Sequence, residues 1–401
     1  MDREAIALRN RAMTEAFHRS PLKHQVRSAM LTIASKVPIA SIGGKRYNRT
    51  LVIRPDHLGD VLLSTPAIRA LKAALPEQEI HALVGPWSAE VMAAYPEIET
   101  VLTLDFPGFS RRPKVNWRSP YELAFEASRQ LRRIGYDSAI IMRPDHWWGA
   151  LVAQLAGIPR RIGYDLPDVA PFLTNTVSYQ REHSVIQNLR LVEPLGVTFD
   201  RNDTQLTFPI DPVDDLYVSG YLEEWRIQGT SRLICIHTGA GTTVKQWPEA
   251  KWVSVADTLA EQLEASIILT GSDHELPTAR RIAGQMKQPS IVMAGDTRVG
   301  QLAALFKRSK LVLGADSGPL HLAAAVGTPT VSLFGPADPV EFGPWGSSEK
   351  HLVLTSDIAC RPCRVLDWSG DDLAYHPCVR DINVARVLEA GRRAFQASEG
   401  R

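Results

Sequence analysis

The chain has 401 residues, with 45 basic and 44 acidic side chains, a formal charge of +1 and 44% apolar residues. That length holds two domains with sizeable cores, and 22% charged residues beside this apolar content excludes intrinsic disorder. The near-neutral balance gives no whole-chain electrostatic case for nucleic acid, and no run approaches the ~18 uninterrupted apolar residues of a spanning helix.

Charge is unevenly spread. Through Tyr47 there are nine basic residues against three acidic ones, a balance of +6, so the remaining chain carries −5. Within this segment Val26, Met30, Ile33 and Val37 recur at helical spacing, with Lys23, Arg27 and Lys36 off that stripe. Residues 1–47 therefore read as a basic amphipathic arm. It suits an anionic membrane surface, or equally a helix packed on its own domain. Met1 to Asn10 is charged and has no apolar core with a cleavage site, so a secretory signal is not expected.

After the arm, apolar runs alternate with helical patterns. Leu51-Val52-Ile53 precedes Val61 to Leu75, Glu79 to Val84 precedes Ala89 to Tyr95, and Ser138 to Met142 precedes Ala150 to Leu155. This rhythm predicts βαβ units on a parallel sheet over residues 48–205. Residues 206–230, with Pro209 and Pro212, lack such pairs and read as a linker. A second series follows over 231–380, with strands at Leu233 to His237, Ser266 to Thr270, Ser290 to Met293, Leu311 to Leu313 and Thr330 to Phe334. Residues 381–401 read as a closing helix. Two doubly wound α/β domains result, whose ligands belong at the carboxyl ends of the strands, and a cleft between two such domains suits a two-substrate reaction.

The first loop of interest is Arg54-Pro55-Asp56-His57-Leu58-Gly59-Asp60, between strand and helix. Asp60 stands where a carboxylate caps free amides, or where it takes a proton from an attacking hydroxyl. Arg143-Pro144-Asp145-His146 repeats the Arg-Pro-Asp-His pattern after a later strand. The two copies are expected as facing loops of one pocket, with Arg54, His57, Arg143 and His146 available to an acceptor. The stretch from Pro107 to Pro120 adds Arg111, Arg112, Lys114 and Arg118, either a solvated loop or a surface for anionic sugars or lipid phosphates.

In the second half, His237-Thr238-Gly239-Ala240-Gly241-Thr242-Thr243-Val244-Lys245 combines exposed amides, the two hydroxyls of Thr242 and Thr243 and an ammonium, which suits phosphate oxygens. It is neither a Walker loop nor a dinucleotide fingerprint. Gly271-Ser272-Asp273-His274-Glu275 carries acids that can accept ribose hydroxyls or cap the next helix. Asp316-Ser317-Gly318-Pro319-Leu320-His321 places Pro319 in a first helical turn whose amides face an anion. There Asp316 can bind sugar hydroxyls or turn toward Lys245, and His321 can reach phosphate or sit satisfied in the core. Four cysteines are too few for a disulfide scaffold, so a reducing cytosol is expected. Cys360, Cys363 and Cys378 beside His376 have imperfect zinc spacing and read as free cysteines.

Several of these blocks occur in one order. Leu51 to Leu71, the Gly-Ala-Gly with Lys245-Gln246-Trp247-Pro248, and Asp316 to Ala325 through Leu333-Phe334-Gly335-Pro336-Ala337-Asp338-Pro339 resemble the bacterial heptosyltransferases of glycosyltransferase family 9. The resemblance runs from about Leu51 to Cys378. It implies a GT-B fold, two Rossmann-like domains facing across a cleft, with acceptor on the first and nucleotide sugar on the second. It implies inverting transfer of a heptose or related sugar from an ADP-sugar to a lipopolysaccharide-core or similar glycan. By position Asp60 matches the base, Thr242, Thr243 and Lys245 match diphosphate contacts, Asp316, Ser317, Gly318 and His321 match the donor turn, and Asp273 to Glu275 matches the ribose region. No cofactor or metal is expected, because no Asp-x-Asp motif occurs. The expected setting is the cytoplasm, on the inner face of the inner membrane. Another donor, another acceptor, or a nucleotide-sugar binder without catalysis are the alternatives.

Overall fold

Continuous β-branched and aliphatic runs, rather than alternating ones, mark strands covered on both faces, and this chain has two sets of them. The computed structural model describes residues 3–18, 22–36, 47–110, 118–227, 232–366 and 370–399. Helices α1 (Arg3–His18) and α2 (Leu22–Ser35) come first, then β1 (Arg49–Arg54), α3 (Leu58–Leu62), α4 (Thr65–Ala74), β2 (Glu79–Val84), α5 (Ala89–Ala93) and β3 (Thr100–Thr103). The first series ends with α6 (Ser119–Ile134), β4 (Ser138–Ile141), α7 (Trp147–Leu155), β5 (Arg160–Tyr164), β6 (Asn175–Val177) and α8 (Ser184–Arg190). The second opens with α9 (Pro212–Glu224), β7 (Leu233–His237), α10 (Glu249–Leu263), β8 (Ser266–Thr270), α11 (Leu276–Gln285), β9 (Ser290–Val292) and α12 (Val299–Arg308). It closes with β10 (Leu311–Ala315), α13 (Gly318–Ala325), β11 (Thr330–Phe334), α14 (Pro339–Phe342), β12 (His351–Thr355) and α15 (Val384–Glu399).

All strand pairs are parallel. The sheets run β3-β2-β1-β4-β5-β6 and β12-β11-β10-β7-β8-β9. Counted within its own series, each has the doubly wound order 3-2-1-4-5-6, and each therefore has a switch point, β1/β4 in one and β7/β10 in the other. Leu51, Val52 and Ile53 in the first sheet and Ile234, Cys235 and Ile236 in the second are fully buried. Amphipathic helices supply the covering layers. α10 buries Trp252, Val255, Ala256, Leu259 and Ala260, the spacing of one helical face.

By its contacts the chain divides into two compact units, Ser20–Thr204, and Gln205–Arg401 together with Met1–Arg19. The basic N-terminal residues do not act as one arm. α1 packs in the second unit, where Ile6 and Ala7 meet Ile358 and Cys378 and Arg3 pairs with Asp357 at 2.8 Å. α2 packs in the first, where Leu31 joins the core and Ser35 O accepts from Gln154 at 2.8 Å. The apolar stripe read from the sequence is not the face that packs: Met30 and Ile33 are 65% and 70% exposed. The side chain of Val26 and the whole of Val37 lie outside the described residues, as do Arg111, Arg112 and Lys114.

The segment 206–230 also differs from the linker expected of it, because it holds α9. Asp211 caps that helix by accepting from Val213 N at 2.8 Å, and Pro212 stands in its first turn. Asp214 and Asp215 pair with Arg298, the N-cap of α12, and Arg308 of α12 at 3.0 and 2.8 Å. Only Val218 and Leu222 of α9 are buried, too narrow a stripe to show as periodicity. α15 adds Val387, Ala390, Ala394 and Phe395 to the second core.

Candidate functional site

At a switch point neighbouring strands send their chains to opposite faces of the sheet, which opens a crevice beyond their carboxyl ends. In the first unit β1 and β4 are paired neighbours, so the two Arg-Pro-Asp-His loops emerge side by side. They close on Asp56. Arg54 Nε lies 2.8 Å from Asp56 Oδ2, and Arg143 Nη1 pairs with Asp56 Oδ1. Arg143 Nε also donates to Asp145 at 2.6 Å, and its guanidinium lies 4.9 Å from the Phe109 ring centre. Burial pushes the Asp56 carboxyl up, but Arg54 and Arg143 outweigh it and hold the group below its ordinary value. The Asp56 carbonyl accepts from Trp87 Nε1 and Ser88 Oγ, both at 2.9 Å, which fixes the turn.

Asp60 is the third residue of α3 and is half-buried. Arg54 Nη2 lies 3.6 Å from Asp60 Oδ1. That arginine is itself buried, with Nη1 donating to Met142 O and reaching Asn188 Oδ1 at 3.4 Å. A fixed guanidinium thus stands beside a partly open carboxylate. His57 is exposed, 5.2 Å from the Trp87 ring. His146 is buried among Phe106, Phe109 and Trp148, at ring distances of 5.3, 5.7 and 6.3 Å. Burial pushes its pKa down to about 4, so the imidazole is neutral at pH 7. Of the four residues expected at the acceptor, Arg54 and His146 are inside the fold, Arg143 is about a third exposed and His57 is open.

In the second unit β7 and β10 form the switch. After β7 the chain makes a short 3-10 turn, Thr243–Lys245, with Thr242 extended before it. Lys245 Nζ lies 2.6 Å from Asp316 Oδ2, the residue that follows β10. Both side chains are largely enclosed, Lys245 at 15% exposure and Asp316 at 6%. Ser317 turns its hydroxyl back to Ala315 O at 3.0 Å and does not cap α13, so the first-turn amides of that helix carry no side-chain cap. An ammonium and an open helix terminus together make an anion cradle. His321 is buried one turn into α13. His351 is pushed down to about 4 by burial, with Lys350 and His321 adding to it.

Two glycines permit this packing. A Cβ on Gly314 of β10 would lie 2.5 Å from Leu320 Cδ2 and 2.9 Å from His237 O, so only glycine lets α13 close onto the switch. A Cβ on Gly239 would lie 1.7 Å from Glu275 Oε1, because Glu275 folds back over that loop. Ser272 N and Oγ donate to Glu275 Oε2 at 2.7 and 2.9 Å. Asp273 instead turns toward Gly295, where a Cβ would meet its Oδ1 at 2.6 Å. The two acids of that loop therefore face different neighbours.

Cys360, Cys363, His376 and Cys378 line a small pocket with Asn10, Val244 and Arg361, and none of the cysteines is in a disulfide. Among the described residues no group of three or more His, Cys, Asp or Glu is placed to hold a metal ion.

Sequence reading singled out the loops but not Asp56 and Asn188, which organise the first one. For Asp56 the signal was the echo itself, since Asp56 and Asp145 occupy equivalent places in it. Asn188 donates to Leu63 O and Ser184 O at 3.1 and 2.8 Å, and a lone Asn in a helix offers no such signal.

Residues 124–369 match the model of glycosyltransferase family 9 (heptosyltransferase), which is more than half of the chain. The chain belongs to glycosyltransferase family 9. Over 294 residues this glycosyltransferase is 29% identical to lipopolysaccharide heptosyltransferase 3 of Escherichia coli K12, covering 72% of this chain and 82% of that one. A glycosyl transferase family 9 structure from Veillonella parvula superposes with a TM-score of 0.71 at 24% identity, over 88% of this chain and 98% of the other. The ADP-heptose lipopolysaccharide heptosyltransferase II of Escherichia coli gives 0.68 at 21% identity, over 88% and 99%. The fold of the glycosyltransferase is GT-B.

Proposed function

We propose that this glycosyltransferase moves a heptose or related sugar from an ADP-sugar to a hydroxyl of a lipopolysaccharide-core or similar glycan, with inversion at the anomeric carbon. Asp60 takes the proton of the acceptor hydroxyl. That oxygen bonds to the anomeric carbon as the carbon's bond to the diphosphate breaks, and ADP leaves. Lys245, the hydroxyls of Thr242 and Thr243 and the first-turn amides of α13, at Ser317 and Gly318, meet the charge that develops on the diphosphate. Asp316 holds Lys245 in place, and Asp273 and Glu275 stand near the nucleoside. Amides and an ammonium replace a divalent cation in this scheme.

The observation that supports it most is the complementary chemistry at the two switch points. One carries a carboxylate 3.6 Å from a buried arginine, the other an ammonium 2.6 Å from Asp316 beside open helix amides. Inverting displacement needs a base on one side of the sugar and charge stabilisation on the other. The Escherichia coli heptosyltransferase II, similar in fold, has ADP-heptose in its name, which directs the choice of donor. The reading includes a peripheral place on the cytoplasmic face of the inner membrane. Among the described residues no helix is long and apolar enough to cross a membrane.

A donor screen tests it. The protein is incubated in EDTA with ADP-heptose and with common ADP-, GDP- and UDP-sugars, and donor consumption and thermal shift are followed. Consumption of ADP-heptose without added metal is expected. Response to UDP-sugars alone overturns the donor, and binding without turnover in the presence of core glycan leaves only a nucleotide-sugar binder.

A further inference from the structure

The core of the first unit takes one large residue from the middle of α2 and leaves its neighbours outside. Leu31 is 5% exposed, while Met30 and Ile33 point away from the fold. From Ser20 to Tyr47 the sequence holds five basic residues, Lys23, Arg27, Lys36, Lys45 and Arg46, and no acidic one. The same unit repeats the combination on α6. Ala124, Ala127, Ser128 and Leu131 face its core, whereas Tyr121 and Phe125, one turn apart, are 43% and 55% exposed. Arg129 and Arg133 are exposed on α6 as well, with Arg118 just before its first turn, against Glu122 and Glu126. α7 packs against both helices, through Gln154 to Ser35 and through the shared core of Leu31, Ala124, Trp148 and Val152, so they belong to one helical layer.

We propose that the outward faces of α2 and α6 dock this unit on an anionic phospholipid bilayer. The proposal rests on the peripheral placement given above and names the surface responsible. A bilayer of this kind offers negative charge at its surface and an apolar layer just beneath, the two chemistries these faces carry together. Met30, Ile33 and Phe125 enter the headgroup boundary, and the Tyr121 ring lies at the interface, where an aromatic side chain with a polar end is favoured. Lys36, at the end of α2, and Arg129 and Arg133 of α6, all exposed, meet lipid phosphates. A second copy of this chain, itself basic on these faces, repels rather than complements them.

Co-sedimentation of the full chain with vesicles decides this. Vesicles of phosphatidylcholine containing about a third phosphatidylglycerol are compared with pure phosphatidylcholine, at low salt and at 0.5 M NaCl, where screening weakens surface charge. The wild type is expected to bind the anionic vesicles, with weaker binding in high salt. Met30→Asp/Ile33→Asp and, separately, Arg129→Glu/Arg133→Glu are each expected to bind at least about tenfold more weakly. An unchanged thermal shift with ADP shows that each variant is folded, and Met30→Ser/Ile33→Ser replaces the first if it is not. Wild-type binding that both variants retain overturns the surface and keeps the peripheral placement. Failure of the wild type to bind, or equal binding to neutral vesicles, overturns both, as does concentration-dependent dimerisation lost in the same variants.

Discussion

At the scale of single residues, the candidate site depends on groups whose protonation is set by burial. His146 has a folded pKa of about 4, below its ordinary 6.5, because burial disfavours the imidazolium. The folded state therefore binds the proton less well than the unfolded chain. Stability from this group is whole above pH 6.5 and is lost as pH falls toward 4, a change of about 3 kcal/mol. Thermal unfolding measured from pH 7 to 4 is expected to show that fall, and His146→Phe to flatten it in part, since His351 shifts in the same direction. An unchanged acid limb in the variant contradicts this. Asp56 works in a lower window. Its pKa is depressed, so its pairing with Arg54 and Arg143 persists above the ordinary carboxyl value of 3.8 and is lost only as pH falls further.

At the scale of elements, the approach of α13 to β10 depends on the missing side chain of Gly314. Gly314→Ala is expected to push against His237 O and Leu320, cost about 1–3 kcal/mol of stability and weaken nucleotide binding. Denaturant unfolding and ADP titration check it, and unchanged stability with unchanged affinity refutes the packing argument. The central strands were legible from sequence because β1, β7, β8 and β11 are continuous apolar runs buried on both faces. The loops after them were legible for the same reason, since the end of an apolar run places its turn. What escaped were β3, β5, β6 and β12, towards the sheet edges, where Arg160-Arg161-Ile162-Gly163-Tyr164 carries charge and partial exposure. α9 escaped because its charges, not its apolar residues, hold it on α12. The stripe on α2 was visible, but its direction was not, because a helical spacing says which residues share a face and not which way that face turns.

At the scale of the whole molecule, the same strand order occurs twice, and each copy presents a different chemistry at its switch point. Repetition of a fold with division of labour suits a two-substrate transfer, in which one half activates a hydroxyl and the other holds a charged leaving group. The family assignment rests on a match across both halves, over residues 124–369. The direct test of the account is turnover of ADP-heptose on core glycan by the wild type and by Asp60→Asn, with donor affinity measured on the same samples. The account predicts that the amide variant loses turnover by about 10²–10⁴-fold while donor affinity stays unchanged. Retained turnover, or weakened donor binding with the maximal rate preserved, would contradict it.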